Sequence, residues 1–218
     1  MFLKVGHRGA KAYATENTIE SFSKAIELGA NAIEFDLQQT VDNKLVISHD
    51  DNLKRVFGQD IPIEGSLLRD LKALTGDKIP TFGEGLEFID NKVDRILVEL
   101  KKDGYEKEAL RQIEKAGLRD RIIVVSFNES SLSEVRRLDK HIETGLIYAR
   151  HKNPIASAVG LNAQYLLPLY RITHTKNVED AHKNKLKVVV WTINSRDEAD
   201  KYRAKGVDGI ASDKPDIL

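Results

Sequence analysis

Short runs rich in β-branched residues alternate with amphipathic stretches along almost the whole chain. Phe2–Val5 predicts a strand, and Asn17–Leu28 a helix in which Ile19, Phe22 and Ile26 recur at the helical period. Ala32–Leu37 predicts a second strand, and the turn residues Asp42-Asn43 lead into a short extended piece at Lys44–Ser48. Asp50–Gly83 breaks the rhythm. It is polar, holds Pro62 and Pro80, and offers one short helix around Ser66–Leu74. Beyond it Phe82–Ile89 predicts a helix, and the alternation resumes. Arg95–Leu100, Arg121–Ser126, Glu143–Tyr148, Ala163–Leu167, Lys187–Trp191 and Gly209–Ala211 read as strands. Glu106–Ala116, Ser130–Leu138, Val178–Asn184 and Ser195–Lys205 read as helices, with a weak Ala-rich segment at Ile155–Val159.

Eight principal strands, each but the last followed by a helix or a helical candidate, imply a parallel sheet covered by helices. Eight units suit a closed (β/α)₈ barrel, and an open doubly wound sheet is the runner-up. The 218 residues are few for a barrel, which typically takes about 250, and Asp213–Leu218 leaves no room for a full last helix. The expected organisation is one domain over residues 1–218, with 50–83 a small insertion over the C-terminal rim. Gly6-His7-Arg8-Gly9 is a poor match to a dinucleotide-binding loop.

Composition removes several classes of function. The 34 Lys+Arg balance 34 Asp+Glu, so bulk charge gives no reason to expect nucleic acid. With no cysteine there is no disulfide, thiolate metal site or thiol nucleophile. No run approaches the roughly 18 apolar residues of a membrane span, so no stable membrane insertion is expected. The apolar start at Met1–Val5 is too short for an export signal, and a cytoplasmic location is the default expectation.

The predicted strand ends carry the chemistry. His7-Arg8 follows the first strand, Glu34 and Asp36 close the second, Glu99 and Lys101 close the third, and Trp191 ends the seventh. Ser126 ends the fourth strand, Ser212-Asp213 follows the eighth, and His49-Asp50 ends the short extended piece. In a barrel this end is where reacting groups gather. Strand alternation puts Glu34 and Asp36 on one face, with Ile33 and Phe35 toward the helices. Three carboxylates together repel unless cations meet them. One reading is a hard divalent ion on oxygen ligands, Mg²⁺ or Ca²⁺; the other is a structural rim network with Arg8 and Lys101. His7 and His49 suit proton transfer near neutrality, and Arg8 and Lys101 suit phosphate oxygens. The same groups could serve a phosphoryl-transfer, sugar or enolate enzyme.

The chain resembles the glycerophosphodiester phosphodiesterase family. The matching residues are His7-Arg8-Gly9-Ala10, Glu16-Asn17-Thr18, Glu34-Phe35-Asp36, Thr40-Val41-Asp42, His49-Asp50, Ile79-Pro80-Thr81, Glu99-Leu100-Lys101, Ser126-Phe127, Trp191-Thr192-Ile193-Asn194 and Gly206-Val207-Asp208-Gly209-Ile210, in order over the whole length. The resemblance implies a (β/α)₈ barrel of the phospholipase C-like phosphodiesterase type, with a short insertion after strand two. It implies metal-dependent cleavage of a small glycerophosphodiester to glycerol 3-phosphate and an alcohol, by a monomer or homodimer. Glu34, Asp36 and Glu99 would hold one divalent cation. His7 and His49 would be the acid/base pair, Arg8 and Lys101 the phosphate clamp, Asn17 a group beside the metal, and Trp191 the floor under the glycerol or leaving group. Alternatives are a lipid-directed phospholipase D-like enzyme, a cyclising phosphodiesterase, and an inactive phosphodiester-binding protein. The polar Gly58-Gln59-Asp60 and Arg69-Asp70 favour small soluble diesters. Three positions depart from the family pattern: Thr15 stands where Pro is usual and is expected to cap the helix, while Asn43 and Lys185 each stand where Gly is usual.

Overall fold

The computed structural model describes all 218 residues. In chain order the elements are β1 (Leu3–His7), α1 (Ile19–Glu27), β2 (Ala32–Gln39), β3 (Leu45–Ile47), α2 (Lys54–Phe57), α3 (Leu68–Leu74), α4 (Phe82–Ile89), β4 (Arg95–Leu100), α5 (Glu106–Ala116), β5 (Ile122–Ser126), α6 (Glu129–Leu138), β6 (Glu143–Tyr148), α7 (Pro154–Gly160), β7 (Tyr165–Pro168), α8 (Thr175–Lys183), β8 (Lys187–Val190), α9 (Arg196–Ala204) and β9 (Gly209–Ser212). Eight strands pair in parallel in the order β1-β9-β8-β7-β6-β5-β4-β2, and β2 closes on β1. The result is a (β/α)₈ barrel. A 3₁₀ turn at Pro215–Ile217 takes the place of an eighth helix.

β2 is the longest strand, and its far end has a separate partner. Ala32–Glu34 pair with β1 and Ala32–Leu37 with β4, while Leu37–Gln39 pair antiparallel with β3. β3 is the extended piece that the turn residues announce. The turn works because Asn43 takes a left-handed backbone, φ 56°, which Asn tolerates better than most residues.

Strand alternation sorts the core into an inner and an outer part. Leu3, Val5, Ala32, Leu97, Ile123, Val125, Ile147, Tyr165, Leu167, Val189 and Ala211 form one buried cluster inside the barrel. Ile33, Phe35, Leu37, Ile96, Val98 and Leu100 occupy the alternate positions and pack under α1, α4 and α5. Phe35 is the centre of this outer layer, with ring centroids 5.6 Å from Phe22 and 5.9 Å from Phe82. α4 begins at a reciprocal cap between Thr81 and Glu84. It lies so close on β3 that a Cβ at Gly85 would meet Ile47 Cδ1.

Residues 50–83 hold more order than their sequence suggests. α2 has only four residues, too few for a periodic signal. Leu53, Ile63, Leu71 and Ile79 bury themselves with Val46 in a small core of their own. Three other expectations need correction. The first helix does not include Asn17, which is left-handed at φ 57°, and its cap is Thr18 rather than Thr15. Thr18 Oγ1 accepts the Ser21 N–H and donates to the Thr15 carbonyl. α8 starts at Thr175, three residues before the first apolar position of its face, Val178. Finally, β8 ends at Val190, and Trp191 continues only as a single bridge to Leu169.

Lys185 occupies the left-handed position after α8, φ 61°, where its N–H reaches His182 O and the Leu186 N–H reaches Ala181 O. That is the paired cap in which glycine is the favoured residue. A left-handed non-glycine residue costs about 1–2 kcal/mol, and glycine gives back up to ~1 kcal/mol through the unfolded chain. Lys185→Gly should therefore stabilise the protein by about 0.5–1 kcal/mol and raise Tm by roughly 1–4 °C, with kcat unchanged. A lower Tm in thermal denaturation would contradict this.

Candidate active site

The inner face of the barrel is apolar in its lower layers and charged at its top. Above Ala32 on β2 stand Glu34 and Asp36; above Leu97 on β4 stand Glu99 and then Lys101; above Val5 on β1 stands His7. These are next-but-one neighbours along each strand, so a period of two carries the chain from core into site. The register sets Asp36 beside Glu99 and Glu34 beside His7. On the remaining strands the same parity delivers Phe127, Trp191 and Asp213.

Together these side chains enclose a cavity of about 230 Å³. His7, Arg8, Glu34, His49, Glu99 and Lys101 form its charged side. Phe127 and Trp191 form an aromatic wall, edge to face at 5.7 Å, and Trp191 is fixed by Nε1 donating to Leu167 O at 2.7 Å. Of the nine residues given a role from sequence, seven line the cavity; Asp36 and Asn17 stand back from it, and both touch the charged cluster.

One ligand oxygen from each of Glu34, Asp36 and Glu99 can be chosen so that all lie within 4.8 Å of one another, and all three residues are buried. Two cations reach them. Lys101 Nζ lies 2.6 Å from Glu99 Oε1 and 3.3 Å from Asp36 Oδ1. Arg8 Nε lies 3.4 Å from Asp36 Oδ2, and the Arg8 backbone N–H donates to Glu34 Oε2 at 2.9 Å. Two cations for three carboxylates leave a deficit, and the acidities record it. Burial, with Asp36 and Glu99 alongside, pushes Glu34 well above the usual carboxylate range. Burial and Asp36 push Glu99 up to about 7. Asp36 is equally dehydrated, but Lys101, Arg8 and His49 outweigh burial and hold it below its ordinary value.

Asn17 adds an oxygen. Its Nδ2 donates to Asp36 Oδ2 at 2.9 Å, which leaves Oδ1 buried without a hydrogen-bond partner. An orphaned amide oxygen beside three carboxylates is an all-oxygen donor set, which suits a hard divalent cation.

The local backbone is bent to make this possible. Arg8 and Gly9 are both left-handed, at φ 54° and 84°, a conformation rare for a residue like Arg and found mostly where function demands it. A Cβ at Gly9 would fall 2.6 Å from the Ser21 carbonyl carbon. The Arg8 carbonyl accepts both Ser21 Oγ and the Asn17 N–H, which pins the two left-handed residues together.

Each histidine has a carboxylate on Nδ1. His7 Nδ1 donates to Asp213 Oδ1 at 2.7 Å, and Asp213 is held by Asn194 Nδ2 at 2.8 Å. His49 Nδ1 donates to Asp50 Oδ1 at 2.6 Å, and Asp50 is held by Arg55 Nε at 2.6 Å. Nε2 of each ring is therefore the nitrogen that the supporting carboxylate does not engage; that of His7 stands 4.0 Å from Glu34 Oε2. Burial depresses the His49 pKa, with Arg8 and Lys101 adding to the effect and Asp36 and Asp50 opposing it.

Several supporting residues were not singled out from sequence. Glu16 Oε1 accepts Arg8 Nη1 at 2.8 Å. The Tyr105 hydroxyl accepts the Lys101 and Lys102 N–H groups and donates to Leu37 O, clamping the loop that carries Lys101. Asp213 was noted only as a rim residue; its partnership with His7 joins positions 206 apart, which no local pattern reveals.

The family model for the "Glycerophosphoryl diester phosphodiesterase family" matches residues 7–217. The chain belongs to this family. Its members are phosphoric diester hydrolases, so the chain is an enzyme of that class. A glycerophosphodiester phosphodiesterase of Caldanaerobacter subterraneus subsp. tengcongensis is 32% identical over 99% of this chain and 96% of its own. Among solved structures, the glycerophosphodiester phosphodiesterase of Thermotoga maritima superposes with a TM-score of 0.84 at 30% identity, over 100% of this chain and 97% of that one. A phosphodiesterase of Oleispira antarctica, solved with the product sn-glycerol-3-phosphate, gives a TM-score of 0.87 at 26% identity over 97% and 93%. No helix is long and apolar enough to cross a membrane.

The raised pKa values of Glu34 and Glu99 give a test for metal. Glu34 and Glu99 bind protons more tightly folded than unfolded, so the stability they contribute is present at low pH and is lost as pH rises, for Glu99 through about 7. Cation-free protein should lose Tm as pH climbs through about 7, and Mg²⁺ or Ca²⁺ should restore it, more at the alkaline end. Calorimetry near pH 7 should register proton release on binding. A Tm indifferent to either cation on the alkaline side would remove the metal assignment.

Proposed function

We propose that this enzyme hydrolyses small glycerophosphodiesters to glycerol 3-phosphate and an alcohol, with His7 and His49 as the acid/base pair and one divalent cation on Glu34, Asp36 and Glu99. The observation that carries the reading is the pair of carboxylate-anchored imidazoles, His7–Asp213 and His49–Asp50, at one cavity with Arg8, Lys101, Glu34 and Glu99, and with Asp36 buried against them. A bound Mg²⁺ or Ca²⁺ supplies Lewis-acid charge to a phosphoryl oxygen. In the same reading residues 50–83 are a small insertion over the C-terminal rim of the barrel.

The diester resists attack because it is an anion and its alkoxide leaving group is poor. Arg8 and Lys101 hold the non-bridging oxygens and offset the charge that grows on them. Asn17 keeps Asp36 in place. His7 Nε2 takes the proton from the attacking hydroxyl, and His49 gives a proton to the departing alcohol as the phosphorus–oxygen bond breaks. The depressed pKa of His49 makes its protonated form the readier donor, and the bound anion helps to keep it protonated. The attacking oxygen is water, or the substrate's own 2-hydroxyl. In the second case proximity favours a cyclic phosphate, which water opens while the two histidines exchange roles and recover their starting protonation. Trp191 and Phe127 lie against the carbon face of the glycerol or alcohol. A cavity of about 230 Å³ accommodates a headgroup-sized ligand. The polar Gly58-Gln59-Asp60 and Arg69-Asp70 of residues 50–83 support a soluble diester over a lipid substrate.

Alanine at either histidine should lower kcat on glycerophosphocholine by roughly 10²–10⁴-fold. The His49→Ala loss should shrink sharply on the p-nitrophenyl ester of glycerol 3-phosphate, whose leaving group needs little protonation, while His7→Ala stays impaired. Equal losses on both substrates in both variants would reject the division of labour, and selective recovery of His7→Ala would reverse it. Glu34→Gln keeps volume but removes a ligand charge, so it should abolish cation-dependent turnover while lowering Tm little; a variant still activated by the cation would exclude Glu34 as a ligand.

A further inference from the structure

Arg55 lies in α2, inside the segment whose sequence offered no chemistry, and its guanidinium joins two parts of the site. Nε donates to Asp50 Oδ2 at 2.6 Å, Nη1 to Glu16 Oε2 at 2.8 Å, and Nη2 to Glu16 Oε1 at 2.6 Å. Glu16 Oε1 is the oxygen that also accepts Arg8 Nη1, and the other oxygen of Asp50 is the one on His49 Nδ1. An unbroken chain of charge-assisted contacts thus runs His49–Asp50–Arg55–Glu16–Arg8.

We propose that Arg55 is a positioning residue, fixing His49 through Asp50 and referring it to the phosphate-holding Arg8 through Glu16. The inference rests on the roles given above to His49 and Arg8. Its physical basis is the fork. A carboxylate held at one oxygen can pivot, and Asp50 has one oxygen for the imidazole and one for Arg55. Arg55 can brace Asp50 only because its other two nitrogens grip a fixed object. Glu16 is such an object: its side chain is buried, and Arg55 and Arg8 overcome burial to hold its pKa well below the carboxylate range. A lysine in the same place is a point charge and can satisfy only part of this geometry.

The fold does not depend on the side chain in the same way. α2 closes on its own backbone, Phe57 N–H to Leu53 O and Gly58 N–H to Lys54 O, and Leu53 anchors it in the small core with Ile63 and Leu71. The Arg55 side chain is nearly half exposed. The buried residues of 50–83 therefore hold the helix turn, and the helix turn presents the guanidinium to the site.

The test is a double-mutant cycle, which isolates coupling from general damage. Arg55→Ala should lower kcat on glycerophosphocholine by about 10–100-fold, the usual worth of a residue that orients a reacting group, with Tm little changed. In a His49→Ala background the same substitution should cost almost nothing further, because there is no imidazole left to position. Guanidinium at low, non-denaturing concentration should restore part of the lost activity to Arg55→Ala but none to the double variant. Arg55→Lys is measured beside it and should fall between, so a failure of the alanine variant to fold leaves the cycle readable. Multiplicative losses in the two backgrounds would overturn the proposal. Leaving-group dependence separates this from the acid assignment. If His49→Ala is equally impaired on the p-nitrophenyl ester while Arg55→Ala remains silent in its background, the acid role falls and the positioning role stands.

Discussion

Three dehydrated carboxylates at the mouth of the barrel set the terms for everything around them. Glu34, Asp36 and Glu99 are adjacent because strand parity and register leave them no other place, and their mutual repulsion has to be met locally. Lys101, Arg8 and its backbone N–H, and the Asn17 amide are the answers within the chain. The left-handed turn at Arg8-Gly9 follows from this, since it aims one N–H at Glu34 while sending the side chain toward Asp36 and Glu16. Local strain of this kind is sustained when several hydrogen bonds over-determine it, as Ser21, Asn17 and Glu34 do here.

The barrel divides the labour around its circumference. β1, β2 and β4 supply the charge, while β5 to β8 supply Val125, Ile147, Leu167 and Val189, with Phe127 and Trp191 above them. In the reading proposed above, a phosphate and a carbon skeleton would meet opposite walls of one small cavity. The histidines differ in their supports. His7 ends a barrel strand and is held by Asp213 beyond the last strand. His49 follows β3 outside the parallel ring, and its carboxylate Asp50 is held by Arg55 of α2.

Much of this was legible in the sequence, for a definite reason. Parity along Ala32–Leu37 and Arg95–Leu100 is a local property, so it placed Glu34, Asp36, Glu99 and Lys101 on one face without knowledge of the fold. The eightfold alternation implied closure, and the family motifs named the histidines. The unread parts depend on distant partners. Asn17 looks helical by periodicity, but Arg8 O and Asp36 compete for its N–H groups and win. Arg55 sits in a four-residue helix and meets Glu16 across 39 positions of chain. The cap passed from Thr15 to Thr18 because the left-handed Asn17 postpones the first helical turn.

The balance of 34 basic and 34 acidic residues carries one more implication. With no net charge, the protein projects little long-range field, so the diester anion arrives by ordinary diffusion rather than by attraction from afar. The charges that act on it lie in a dehydrated pocket, where mobile ions screen weakly, whereas at about 0.15 M salt exposed charges are damped within about 8 Å. On the reading proposed above, capture and turnover should therefore respond only weakly to the ionic strength of the medium.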